Sequence, residues 1–195
     1  MLRSTAALAL AVALGGCAGG ESTTAATETS AGSDASSSAD ASTTAAAEPE
    51  PLTLNDLWVQ MEATADPLAD HRPAPVDCGL AGIFLEGDEL DIDTNFCNYA
   101  MIEQPGLVEV KEGATITLSM RHFDLTAAEP ATAHVALLLG ETIAWERTLV
   151  IPGPAEVITL DIDAPIDHPL GAPVRFHLHN HGQNTWTLSS ITVTP

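Results

Sequence analysis

The chain has 195 residues and carries 27 Asp and Glu against six Lys and Arg, a formal net charge of −21. So acidic a surface repels phosphate backbones and anionic headgroups, which excludes nucleic-acid binding and leaves cations, cationic ligands or neutral ligands such as sugars. With 45% hydrophobic residues, the length suffices to bury a proper core without a partner.

The first signal in chain order lies at the N-terminus, where Met1-Leu2-Arg3 sets one positive charge ahead of the apolar run Ala6 to Leu14. That run is too short to cross a bilayer, which takes about 20 apolar residues. A basic start, a short apolar middle and the small pair Gly15-Gly16 are the marks of a cleaved secretory signal. Leu14-Gly15-Gly16-Cys17 resembles the lipobox of bacterial lipoproteins, Leu-small-small-Cys. The resemblance implies that residues 1–16 are a signal peptide and that Cys17 carries diacylglyceryl and N-acyl (palmitate-type) chains. Several acyl chains anchor a protein stably, where one does so only reversibly. Ala18 rather than Asp follows the cysteine, which in a two-membrane host implies an exported protein lipid-anchored at the outer membrane or cell surface. Cleavage also removes Arg3, so the mature chain is more acidic still.

Residues 17–51 are almost entirely Ala, Ser, Thr, Gly, Glu and Asp, without an aromatic residue, Lys or Arg. Such a segment cannot bury enough apolar area to offset its ordering entropy, and is expected to be a disordered tether. Residues 52–77 form a lead-in. Thr53 to Glu62 reads as a short amphipathic helix, capped by Thr53, with Leu54, Leu57, Trp58 and Met61 as its stripe. Pro67, Pro73 and Pro75 then interrupt the chain before Cys78. With Cys17 given to lipid by the resemblance, Cys78 and Cys97 are an even remainder in an exported protein, and a disulfide between them is expected.

Residues 78–195 read as an all-β domain. Gly113 to Met120 and Val174 to His179 alternate in hydrophobicity. Further strands are expected at Ile83–Leu85, Phe96–Ile102, Leu107–Val110, Ala133–Leu139, Thr142–Val150, Glu156–Asp161 and Thr185–Val193. Turn residues such as Pro152-Gly153-Pro154 and His181-Gly182 separate them, so the reading is an antiparallel β-sandwich. Strand number, length and the closing run Asn184 to Val193 resemble the jelly rolls of galactose-binding-like and carbohydrate-binding modules. That resemblance implies a non-enzymatic domain binding carbohydrate.

The richest side-chain constellation is Phe176-His177-Leu178-His179-Asn180-His181. Alternation sets Val174, Phe176 and Leu178 on one face and Arg175, His177, His179 and His181 on the other. Imidazoles two residues apart on a strand stand about 6.5 Å apart, within reach of one metal ion. His122 and His134 are candidates to complete a zinc or copper site; the alternative is a polar sheet face bonded to neighbours and water. The run also resembles the Phe-His-Val-His motif of copper–zinc superoxide dismutases, but only fourteen residues follow His181, too few for that family's further ligands. A Glu at the spacing the cupin pattern requires is likewise missing.

Asp88, Asp91 and Asp93 are a candidate calcium group, carboxylates being calcium's natural ligands. An EF-hand is excluded, because Phe96 occupies the position of its glycine and Ile102 that of its bidentate Glu. Trp186 and Arg175 are candidate ligand-binding residues, although Trp145 and Trp186 both sit among apolar strand residues that favour a core. Catalysis finds little support: there is no Gly-x-Ser-x-Gly elbow, no spare thiol and no phosphate-cradling loop. Three functions follow as expectations. The first is an anchored lipoprotein whose sandwich binds carbohydrate or an envelope protein. The second is a zinc- or copper-binding lipoprotein using His177 and His179. The third is a structural or assembly component of the envelope.

Overall fold

A computed structural model of the chain describes residues 47–194. The signal segment, Cys17 and most of the expected tether fall outside the described residues. The tether reading ends early at its C-terminal side. Glu50–Pro51 (β1) already pairs antiparallel with Val193 and Thr192, and Leu52 beside it is fully buried.

Eleven strands lie among the described residues. After β1 come Val59–Gln60 (β2), Ile83–Glu86 (β3), Glu89–Asp93 (β4), Tyr99–Pro105 (β5) and Thr115–His122 (β6). Ala131–Leu139 (β7), Thr142–Ile151 (β8), Glu156–Asp163 (β9), Pro173–Asn180 (β10) and Thr185–Thr194 (β11) complete the set. They form two antiparallel sheets. One runs β3-β4-β11-β6-β9, with β1 also on β11; the other runs β2-β5-β10-β7-β8. A bulge in β11 between Leu188 and Ser190 lets it pair with β4 through its first half and with β1 through its second.

The core lies between the sheets. Leu90 and Ile92 of β4, Ile116, Leu118 and Met120 of β6, and Trp186, Leu188, Ile191 and Val193 of β11 face it from one side. Ala100 and Ile102 of β5, Val135, Leu137 and Leu139 of β7, and Val174, Phe176 and Leu178 of β10 face it from the other. Alternation along each strand therefore leaves a second, outward face on both sheets.

Several expected elements move. β4 was not among the expected strands, because its aspartates read as an acidic loop; Leu90 and Ile92 in fact face inward, with Asp91 and Asp93 outward. Phe96 to Asn98, expected to open a strand, lies outside β5: Phe96 closes the turn Thr94–Phe96 by donating its N–H to Asp93 O at 3.0 Å, and Cys97 makes a single bridge with Cys78. Leu107–Val110 is reduced to one bridge, Val110 with His168. The short helix near 53–62 is instead one 3-10 turn, Asn55–Leu57, without a side-chain cap. Outside partners hold this segment extended. Gln104 Oε1 accepts from Leu54 N, Gln104 Nε2 donates to Leu54 O, and Asn55 Nδ2 donates to Leu188 O and Ser189 O.

The chain from Met61 to Asp77 lies against the outward face of the second sheet and is pinned along its length. Met61 N donates to Met101 O at 2.9 Å. Asp66 accepts from Leu68 N at 2.8 Å, from Arg72 Nη1 at 2.8 Å and from the Tyr99 hydroxyl at 2.6 Å. The Arg72 guanidinium also sits 4.8 Å from the centre of the Tyr99 ring. Asn98 Oδ1 accepts from Asp77 N, and its Nδ2 donates to Pro75 O. The segment then ends at the Cys78–Cys97 disulfide, which is formed as expected.

Candidate metal centre

The pleat of β10 decides which histidines meet. Val174, Phe176 and Leu178 are spent on the core, so Arg175, His177 and His179 point outward, the two histidines on the side of the Met61–Asp77 segment. On β7 the inward set is Ala133, Val135, Leu137 and Leu139, which puts His134 on the same outward face. His179 stands directly opposite His134 in the ladder and opposite Tyr99 on the other side. His177 stands between Ala136 and Met101. From above, the 3-10 turn Ala69–His71 brings in His71.

One ligand nitrogen from each of His71, His134 and His177 lies within 4.8 Å of the other two. The His71 and His134 rings stack, with centroids 4.2 Å apart and planes at 19°. His177 meets them at 5.6 Å and 5.2 Å. A tetrahedral zinc site with bonds of about 2.0–2.1 Å would set its nitrogens about 3.3 Å apart, a spacing within the span the three side chains already occupy.

Hydrogen bonding fixes one of the ligand atoms. His134 Nε2 lies 3.1 Å from Glu146 Oε2. An ionised carboxylate only accepts, so Nε2 carries the proton and Nδ1 keeps a free lone pair. That Nδ1 is buried and has no partner. His177 is fully buried with both ring nitrogens unpartnered, and His179 Nε2 is in the same condition. Each such atom costs roughly 1–3 kcal/mol relative to one that is hydrogen-bonded. A carboxylate orienting a histidine whose other nitrogen is bare is the usual second layer of a metal site.

Electrostatics keep the lone pairs available. Burial, and then the neighbouring His134 and His71, push His177 down to about 3. Burial, then His181, His71 and His134, push His179 down to about 4. His134 is lowered by burial, with Glu146 opposing. Asp66 is raised by burial but more than compensated by its bonds from Tyr99, Arg72 and Leu68, so it stays a carboxylate, and Tyr99 is pushed well above the ordinary phenol range. Neutral imidazoles at neutral pH are the form that binds metal, without first having to shed protons. A hollow of about 350 Å³ opens onto the group, walled by Asp70, His71, His134, His179 and His181 among others. Three imidazole nitrogen donors suit zinc or copper and do not suit calcium, which takes oxygen.

The other sequence candidates scatter. His122 continues the inward face of β6; it lies against Trp186 at 4.5 Å and bonds Phe123 O through Nδ1, on the opposite sheet. His181 is exposed, with its ring 4.2 Å from that of His179 and tilted 53° to it, at the rim of the hollow. Asp91 accepts from Thr187 Oγ1 at 2.5 Å, Asp93 accepts from Asn95, and Asp88 sits in the β3–β4 turn. Among the described residues the histidine trio is the one group of three or more such side chains close enough to share an ion, and these aspartates are not in it. Trp186 is 1% exposed in the core, and Arg175 is held by Glu103 and by Gly140 O. His71 and Glu146 were missed from sequence. His71 sits in an aperiodic proline-rich stretch, whereas Glu146 lies on an expected strand but was not distinguishable from the other acids.

No protein-family model and no curated protein matches the chain. Solved structures similar to it include one described as "CBM4 structure and function", 16% identical with a TM-score of 0.42, covering 75% of this chain and 94% of that one. A second is a family 16 carbohydrate-binding module, 12% identical with a TM-score of 0.36, covering 62% of this chain and 86% of that one. A third is an arabinose-bound α-L-arabinofuranosidase, 11% identical with a TM-score of 0.36, covering 74% of this chain but 27% of that one.

Proposed function

We propose that this chain is an exported, lipid-anchored protein that binds a zinc or copper ion through His71, His134 and His177. The observation that carries the reading is the convergence of imidazole nitrogens of three histidines, two of which, His134 and His177, hold buried ring nitrogens with no protein partner. A sheet face that merely tolerated histidines would give those nitrogens hydrogen bonds from the protein. The lipobox at Leu14–Cys17 supports the anchor. The strongly acidic chain supports cation capture, because its field raises the local concentration of positive ions.

Calorimetric titration of the chelator-stripped full chain with Zn(II), and separately with Cu(II), tests the reading. One tight equivalent is expected in the wild type and none in His134→Ala. Equal binding by the two proteins, or none by the wild type, refutes it. Mass spectrometry of membrane-fraction protein tests the anchor, since an acylated Cys17 at the N-terminus is expected.

A second ligand class, carbohydrate, is favoured by one observation on the other sheet. Phe123 is 66% exposed and borders a hollow of about 200 Å³ together with Arg121, His122, Glu156 and Thr187. An aromatic face beside charged and hydroxyl groups is a workable sugar contact. Glycan-array binding that is lost in Phe123→Ala supports it, and an array without signal ends it.

A further inference from the structure

The trio leaves two histidines on the same patch unused. His179 lies directly across the ladder from His134, which places their Cβ atoms about 5 Å apart. Its Nε2 is buried and unpartnered, and its ring is 4.2 Å from that of His181. His181 itself is exposed, at the rim of the hollow that His71, His134 and His179 also wall. Five of the chain's seven histidines therefore run from solvent to a fully buried position, with His134 as the neighbour common to the outer pair and the inner trio.

We propose that His179 and His181 form an outer metal station, which captures a zinc or copper ion from solution and passes it to the inner trio. The inference rests on the metal reading of that trio. Transfer is simple ligand exchange. Bonds from the ion to water and to the outer imidazoles break as bonds to His134 and then His177 and His71 form. The ion keeps its charge throughout, and no electron is transferred. Neither outer histidine is needed to complete the inner group, so the outer pair governs how fast the ion arrives and the trio how tightly it is held.

Stopped-flow transfer of Zn(II) from a chromophoric chelator to the full chain separates the two roles. His179→Gln/His181→Gln is expected to keep the tight equivalent but to take up zinc at least about tenfold more slowly, because the ion loses the high effective concentration that local capture provides. His181→Ala, a substitution at an exposed position with no folding risk, is expected to slow uptake in the same direction by a smaller factor. Uptake at the wild-type rate by both variants overturns the outer station and leaves the trio intact. Loss of the tight equivalent in the Gln/Gln protein, with its metal-free melting temperature unchanged, also overturns it, by making His179 or His181 a ligand of the inner site. A wild type that binds no zinc overturns the trio itself.

Discussion

Replacing His177 by leucine separates a histidine kept for a ligand from one kept for the fold. The side chain is fully buried, and neither ring nitrogen has a partner. A neutral imidazole there carries one donor and one acceptor out of water, each costing roughly 1–3 kcal/mol. Leucine is similar in size and removes both, against roughly 1 kcal/mol for imperfect shape. The metal-free variant is therefore expected to be more stable than wild type by about 2 kcal/mol. For a domain of this size that is a rise in melting temperature of roughly 6 °C. Zinc at a hundred times its dissociation constant should stabilise the wild type by about 2.7 kcal/mol and leave the variant unmoved. Scanning calorimetry of chelator-stripped protein, with and without zinc, reads both quantities. A metal-free variant that melts below wild type, by about the 2–5 kcal/mol of an ordinary core truncation, contradicts the reasoning. So does a zinc-dependent rise that survives the substitution.

Three further outcomes follow from contacts described above. Glu146→Gln weakens the acceptor on His134 Nε2 and should reduce zinc affinity about tenfold in calorimetric titration without moving the metal-free melting temperature. Cys97→Ser opens the covalent closure between the sandwich and the segment bearing His71; thermal denaturation should show a loss of roughly 3 kcal/mol, and zinc titration a weaker affinity. Glu89 is held down to about 2 by hydrogen bonds from Arg121 and then Ser189. Its folded carboxyl lies below the unfolded value, so its contribution is complete above the ordinary carboxylate range and fades as pH falls toward about 2. The pair is partly exposed, which limits the effect to less than about 1 kcal/mol. The stability gap between wild type and Arg121→Ala should therefore shrink across that window in acid melts, and a gap that stays constant refutes the assignment.

The sandwich was legible because alternation reports a face wherever one side of a strand is buried. Thr115–His122 and Pro173–Asn180 fell within two residues of their expected bounds on that ground. The same rule placed His122 on the side of Met120, and so in the core, although its chemistry had suggested a ligand. It also applied to Leu90 and Ile92 in β4, where the density of aspartates concealed it. His177 and His179 were legible as an outward pair, and His134 as a candidate partner. His71 was not, because periodicity describes a chain against its own sheet. Its place follows instead from scattered tertiary bonds, of Asp66 with Tyr99 and Arg72 and of Asn98 with Asp77 and Pro75, which have no pattern in sequence. The three-residue turn at Asn55–Leu57 went the same way. Leu54 and Leu57 of its expected stripe are exposed, and Gln104 bonds both the N–H and the carbonyl of Leu54, which holds the chain extended there.

A two-sheet sandwich ordinarily has a single dry interior and two wet outer faces. Here the Met61–Asp77 segment roofs one outer face, so the molecule has a second, small and nitrogen-rich interior on the far side of β10 from the first. A single strand serves both, Phe176 and Leu178 belonging to one and His177 and His179 to the other. Substitutions at the histidines therefore leave the hydrophobic layer untouched, and repacking that layer leaves the imidazoles in register. The hydrophobic layer and the imidazole layer can therefore be altered one at a time along a single strand.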